Sequence, residues 1–357
     1  MMRQFLSKPL KAIPIPVRQL LSPAWVMVKL FIQRPKGYKN YLLCMISETF
    51  RLGKSLGNPV SITLEPINTC NLKCPVCETG AGLLERKPQT MSYENFVRII
   101  DKVGPGANHL MFYYMGEPFL NKDAYRMIRY ARDMGLYVTT CTNGDLINPE
   151  ALYESGINHI SFQIGGLTQE THQIYRQNSD LSRVLKNLRS YLSIIRGKGK
   201  KPDEHDVELG FIVMKQNENE IDGTLSLGED LKVKTTLISP CVRTPEQGKE
   251  FLPSDENYWL YDRQGLEKSG QLIIKKVLPS KTCLWIYYSI TIQVDGNVVP
   301  CCRDPQGKYV MGNLLSDPLG RVWNSKDFKR FRYQFSRRQH HLPLCALCPG
   351  EGTPQLK

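Results

Sequence analysis

The sequence predicts an α/β fold built on a parallel sheet and closed partway into a barrel. Three observations carry that prediction. From residue 60 onward, short apolar runs alternate with longer amphipathic stretches, the order of successive βα units. Six such units follow one another, which makes an open, TIM-like (β/α)6 partial barrel. The third observation is the cysteines, which gather in one triplet directly after the first strand-like run and in a second set in the C-terminal third.

The strands expected are Val60–Pro66, Asn108–Met115, Leu136–Thr142, His159–Gly165, Asp206–Met214 and Lys232–Ser239. The helices between them are Tyr93–Val103, Asp123–Met134, Asn148–Ser155, Leu181–Arg196 and a shorter one near Glu218–Leu231. In parallel α/β folds ligands sit at the carboxyl ends of strands, so the loop after each strand lies at the functional face. The basic loop Arg196–Asp203 joins a helix to a strand and belongs at the opposite end, with solvated lysines. Farther on, Ile290–Pro300 alternates apolar residues around Asp295-Gly296, a β-hairpin signature. A helix then places Phe328, Phe331 and Phe335 on one side.

Composition excludes little but bounds the rest. At 357 residues, 41% hydrophobic and 23% charged, the chain has room for a large domain plus a smaller one, and wholesale disorder is ruled out. Eleven cysteines without a secretory signal read as metal ligands in a reducing compartment, so the expected location is the cytoplasm. The net charge of +13 is uneven: residues 1–54 hold ten Lys or Arg against Glu48 alone, giving +9 and leaving +4 elsewhere. That segment contains the apolar run Leu20–Ile32, which is too short and interrupted to span a membrane. It reads as an arm packed across the barrel bottom, with contact to an anionic membrane surface or a partner as the alternative.

Cys70, Cys74 and Cys77 form a Cys-x3-Cys-x2-Cys triplet with no fourth ligand nearby; the nearest histidine in sequence is His109. A closed zinc site wants four ligands. An iron–sulfur cubane wants one thiolate per iron unless one iron is left open to chelate a small molecule. Spacing alone leaves iron and catalytic zinc both standing. The run Thr69-Cys70-Asn71-Leu72-Lys73-Cys74-Pro75-Val76-Cys77 resembles the cluster loop of the radical S-adenosylmethionine (radical SAM) superfamily, although Val76 stands where the family usually has an aromatic residue. The resemblance implies that the three cysteines hold a [4Fe-4S] cluster whose fourth iron binds SAM. It also implies that one-electron cleavage of SAM yields a 5′-deoxyadenosyl radical.

Four further segments resemble family elements, and what they imply concerns SAM contacts. Met115-Gly116-Glu117-Pro118 is similar to a Gly-Gly-Glu-Pro element, in which Gly116 and Glu117 would receive the SAM ammonium. Thr142-Asn143-Gly144 matches a Thr-Asn-Gly turn, with Asn143 at the cofactor. Ser161 and Gln163 fall where the family places polar residues on the ribose, Gln163 replacing an acid. Arg176 matches an arginine that pairs with the SAM carboxylate, against the plain alternative of a surface helix arginine. Asn217, at the end of the fifth strand, would lie beside the adenosine.

Cys283, Cys301, Cys302, Cys345 and Cys348, with the hairpin and Met311-Gly312-Asn313-Leu314 between them, resemble the SPASM/twitch extension of radical SAM enzymes. The implied ligands of one auxiliary [4Fe-4S] cluster are Cys283, Cys301, Cys345 and Cys348, with Cys302 the alternative to Cys301. A zinc knuckle is the competing reading of Cys345-x2-Cys348. The expected division is an arm at 1–55, the barrel at 56–245 and the auxiliary-cluster domain at 246–357.

A fully ligated auxiliary cluster implies electron transfer. The first functional reading is therefore oxidation of a sugar or cyclitol alcohol, a small-molecule substrate, with Arg243 as a substrate contact or a surface ion pair. An epimerase using Cys241 as hydrogen donor is second, peptide modification third, and a zinc-dependent binding module last. The basic helix Lys326–Arg338 reads as core plus solvated face, with docking of a flavodoxin or ferredoxin electron donor second and nucleic acid disfavoured.

Overall fold

A computed structural model describes residues 35–200, 204–270, 272, 283, 285–346 and 348. The run Leu20–Ile32 and most of the basic arm lie outside the described residues, as does the tip of the Arg196–Asp203 loop. The strands are β1 (Ser61–Leu64), β2 (His109–Met111), β3 (Tyr137–Thr142), β4 (His159–Ile164), β5 (Asp206–Ile212), β6 (Lys234–Ile238), β7 (Ser289–Ile292), β8 (Asn297–Val299) and β9 (Gly312–Asn313). The helices are α1 (Pro35–Thr49), α2 (Tyr93–Val103), α3 (Ala124–Asp133), α4 (Pro149–Glu154), α5 (Gln169–Tyr175), α6 (Leu181–Lys198), α7 (Ile221–Leu231), α8 (Pro245–Phe251), α9 (Arg263–Ser269), α10 (Leu319–Trp323), α11 (Lys326–Arg338) and α12 (Pro343–Ala346).

All six expected barrel strands form, each trimmed by a few residues where the chain leaves the ladder for a loop. They pair in parallel in the order β6-β5-β4-β3-β2-β1. α2 shows why the helices form: Ser92 caps it by accepting from the Asn95 amide, and Phe96, Ile99, Ile100 and Val103 put one stripe into the core. Burying that stripe contributes roughly 6–12 kcal/mol before chain entropy is counted.

The C-terminal hairpin departs from expectation. It does not stand apart from the barrel: β7 pairs in parallel with β1, in the register Ser61↔Ser289 to Leu64↔Ile292, and β8 and β9 continue antiparallel. One sheet of nine strands therefore carries both cysteine sets. Buried Ile290 and Ile292 beside Ile62 and Leu64 explain the pairing, since both strands need a partner for their free edge and cover for their apolar faces. The hairpin turns at Gly296, whose φ of +83° suits a residue without Cβ.

α1, the described part of the arm, packs at the amino end of the strands. Asn40 donates to the Gly106 carbonyl just before β2, and Glu48 accepts from the Tyr288 hydroxyl at 2.7 Å. No helix among the described residues is long and apolar enough to cross a membrane.

Candidate active site: two thiol sets at one barrel mouth

The loop after β1 turns back on itself at the cysteine triplet. The Cys77 amide donates to the Cys74 carbonyl at 3.1 Å, and the Leu72 amide points at the Cys70 sulfur at 3.4 Å. A Cβ at Gly80 would come within 2.5 Å of the Cys74 amide nitrogen, so only glycine lets the turn close. Burial pushes the Cys70 thiol up to about 12 and raises Cys74, while the Arg176 charge opposes the shift at Cys74. Such thiols ionise when a metal takes the place of the proton.

Gly116 and Glu117 arrive from the end of β2. Gly116 has φ +79°, and a Cβ there would sit 2.6 Å from the Ile67 and Thr69 carbonyls. That close approach lets the Glu117 amide donate to Thr69 at 2.9 Å, clamping the strand end to the cysteine loop. The Glu117 carboxylate is buried and accepts from Thr142 Oγ1, the Asn143 amide and the Phe119 amide. Desolvation outweighs these bonds and lifts its pKa to about 7. Asn143 donates to Asn71 Oδ1 at 2.9 Å, fixing the residue next to Cys70.

Arg176 is not a surface residue. It follows α5, its guanidinium lies among Cys74, Cys77 and Cys141, and its buried Nε has no hydrogen-bond partner. Ser161 and Gln163 are bonded to each other at 2.8 Å, and Ser161 donates on to Glu208 at 3.1 Å inside the barrel. Asn217 is corrected in role. Its amide donates to the Gly165 and Ile212 carbonyls and accepts from Met214, so both of its donors hold the β5 end. Arg243 forms an ion pair with Glu78 at 2.6 Å, tying the loop after β6 to the cysteine loop rather than reaching for a ligand.

The second set lines a cavity walled by Cys283, Cys301, Cys302, Cys345 and Cys348, with Phe331 and Phe335 of α11 closing one side. Cys301 has Cys283 and Cys345 among its electrostatic neighbours; Cys302 has Cys348 and Cys241. Burial raises Cys283 and Cys345 to about 12 and Cys302 to about 11. Five buried thiols with apolar cover fit a thiolate-ligated iron–sulfur group. Among the described residues no three Cys, His, Asp or Glu side chains close to single-ion spacing, so the fit rests on donor type and burial.

Cys241 is exposed on the loop after β6, with the Tyr261 hydroxyl 3.8 Å from its sulfur. It is an electrostatic neighbour both of Tyr175, beside the first thiols, and of Cys302, in the second set. Sequence reasoning missed Tyr113 and Tyr114 beyond the end of β2, Arg303 after the cysteine pair, and the buried pair Glu65–Arg86. The position after a strand end was the available signal for the tyrosines. A lone Glu and a lone Arg in loops gave none.

A profile of the radical SAM superfamily matches residues 64–227, and one of the SPASM iron–sulfur cluster-binding domain matches residues 283–349. The chain is 25% identical over 308 residues to an AdoMet-dependent heme synthase of Methanosarcina barkeri, covering 77% of this chain and 85% of that one. It is 24% identical to a PqqA peptide cyclase of Rhodopseudomonas palustris, covering 81% and 80%. Among solved structures, SuiB of Streptococcus suis superposes with a TM-score of 0.59 at 14% identity, covering 94% of this chain and 84% of SuiB. The chain therefore belongs to the radical SAM superfamily, as an enzyme that uses S-adenosylmethionine and a [4Fe-4S] cluster and carries auxiliary iron–sulfur in a C-terminal SPASM domain.

Proposed function

We propose that the enzyme oxidises an alcohol carbon of a small molecule of the sugar or cyclitol class. When bound, SAM and the two iron–sulfur groups supply a hydrogen-abstracting radical and a one-electron acceptor, the pair of functions that turns an alcohol into a carbonyl. Cys70, Cys74 and Cys77 hold the SAM-binding cluster, leaving one iron open. Cys283, Cys301, Cys345 and Cys348 hold the other with none open; the grouping of Cys301 with Cys283 and Cys345 favours it over Cys302. The observation that carries the reading is the second cavity: its lining supplies four thiols and apolar side chains, a setting for electron transfer rather than substrate ligation.

The chain's own residues orient the cofactor. The orphaned Arg176 guanidinium is set to receive the SAM carboxylate, and the buried Glu117 carboxylate, beside Gly116, its ammonium. Asn143 keeps the cysteine loop in place, and Asn217 shapes the adenosine wall through backbone rather than by direct contact. Ser161 and Gln163 offer a polar floor for the ribose. The division at 1–55, 56–245 and 246–357 is kept as a functional one, since β7 joins the two larger parts into one sheet. We place the enzyme in the cytoplasm, reduced by a flavodoxin or ferredoxin that meets the exposed Lys329, Arg330 and Arg337 of α11.

Epimerisation is the second reading, favoured by one observation: the Cys241 thiol is exposed between the two thiol sets, where a hydrogen donor is useful. The relatives named as a peptide cyclase and as a heme synthase keep peptide and larger substrates in view. Turnover of a panel of alcohols in D2O separates the readings. Oxidation gives a carbonyl product without solvent deuterium on carbon. Deuterium incorporation that disappears in Cys241→Ala overturns oxidation in favour of epimerisation.

A further inference from the structure

Between the two thiol sets the barrel mouth holds a cation and a hydroxyl whose roles the cofactors do not absorb. Arg303 follows Cys302 directly and borders the thiol-lined cavity. Its electrostatic neighbours are Cys348, Cys241, Cys302 and Cys301. Among the described residues no carboxylate lies within ion-pair distance of it, whereas the other part-buried arginines Arg86, Arg132 and Arg243 each have one. Tyr114, from the far side, comes off the end of β2. Its hydroxyl is buried with no hydrogen-bond partner, and Cys302 and Cys301 are the first of its electrostatic neighbours.

Both side chains thus approach the same cysteine pair, one from the barrel and one from the SPASM domain. A guanidinium donates only, and a phenol hydroxyl without a partner is free to donate too. Leaving such a hydroxyl dry and unpaired is unfavourable, so an acceptor is the natural occupant. A planar carboxylate, with four lone-pair positions, satisfies a guanidinium and a hydroxyl together.

The geometry points to a carboxylate-recognition site formed by Arg303 and the Tyr114 hydroxyl, which holds an anionic substrate between the two thiol sets. This rests on the alcohol-oxidation reading and narrows it: the substrate is a polyol that also carries a carboxylate, in the class of uronic or aldonic acids. Cys241 then faces the same bound molecule from the loop after β6.

The test is calorimetric binding to the anaerobically reconstituted full chain at fixed ionic strength, with glucuronate, its neutral counterpart glucose, and propionate as probes. Glucuronate should bind at least about tenfold more tightly than glucose, the discrimination expected of a charge-assisted hydrogen-bonded pair. Arg303→Gln should abolish that preference, Arg303→Lys should keep part of it, and Tyr114→Phe should reduce it severalfold. Iron content and the visible spectrum report whether each variant stays loaded. If Arg303→Gln loses iron, Tyr114→Phe decides, and an unchanged preference there overturns the site. A preference that survives Arg303→Gln in loaded protein also overturns it, and assigns Arg303 to balancing the thiolate charge instead. Propionate and glucuronate binding equally, both through Arg303, keep the site and remove the sugar reading. No Arg303-dependent preference removes the site and leaves alcohol oxidation standing.

Discussion

Replacing Glu65 by glutamine should loosen the joint between the SAM-binding loop and the SPASM hairpin. Glu65 is buried at the end of β1, and Arg86 grips it bidentately at 2.7 and 2.6 Å. The same carboxylate accepts from the Val294 amide at 2.9 Å, while Arg86 Nε donates to the Pro305 carbonyl at 2.7 Å. One ion pair therefore ties three segments: the cysteine-loop return, the hairpin, and the stretch after Cys301 and Cys302. Taking one partner from a buried pair costs about 3–5 kcal/mol, because the other charge stays behind uncompensated. Glutamine keeps the shape and one acceptor, so about 3 kcal/mol is the expected loss. At roughly 2–4 °C per kcal/mol for a chain of this size, Tm should fall by roughly 6–12 °C. Anaerobic thermal unfolding of wild type, Glu65→Gln, Arg86→Met and the double variant gives the coupling, which should exceed about 1.5 kcal/mol. A Glu65→Gln protein within about 0.5 kcal/mol of wild type would refute the claim that this pair joins the two parts.

Three further outcomes follow from named contacts. With its pKa lifted to about 7 from 4.5, Glu117 contributes most to stability below about pH 4.5, and that contribution is lost as pH rises through about 7. SAM binding has the opposite slope because the ammonium needs the ionised carboxylate, so affinity measured by equilibrium dialysis should fall below about pH 7 and Glu117→Gln should flatten the profile. Asn217→Ala should lower stability by about 2–3 kcal/mol, having removed three bonds to backbone, with SAM affinity in the surviving protein within about threefold of wild type; a larger loss of affinity at unchanged Tm would show direct contact. Cys301→Ala should forfeit the iron of the second site, whereas Cys302→Ala should keep it; iron and sulfide analysis reversing that order would exchange their roles.

The local parts of this fold were legible because local physics sets them. Tyr93–Val103 announces itself by a stripe of apolar residues behind a serine cap, and Asp295-Gly296 by a turn that needs positive φ. The cysteine triplet was equally plain, since loop spacing alone brings its thiols together. The pairing of β7 with β1 was not legible: Ser61 and Ser289 are far apart in sequence, and either strand would accept many apolar neighbours. Partner choice hid three side-chain roles in the same way. Arg243 reads as a free cation until Glu78 is seen beside it, and Arg176 as a surface charge until the thiols surround it. Asn217 sits where a ligand contact was expected, yet its amide is engaged by the turn that follows its own strand.

The most direct test of the account pairs two readouts on anaerobically reconstituted protein, iron content and 5′-deoxyadenosine formed from SAM after dithionite reduction. Wild type should bind about eight irons, four for each cubane, and release 5′-deoxyadenosine. The triple variant of Cys70, Cys74 and Cys77 to Ala should keep about four irons and release none. Zinc in place of iron, or 5′-deoxyadenosine still formed by the triple variant, would contradict the assignment of SAM cleavage to the loop after β1.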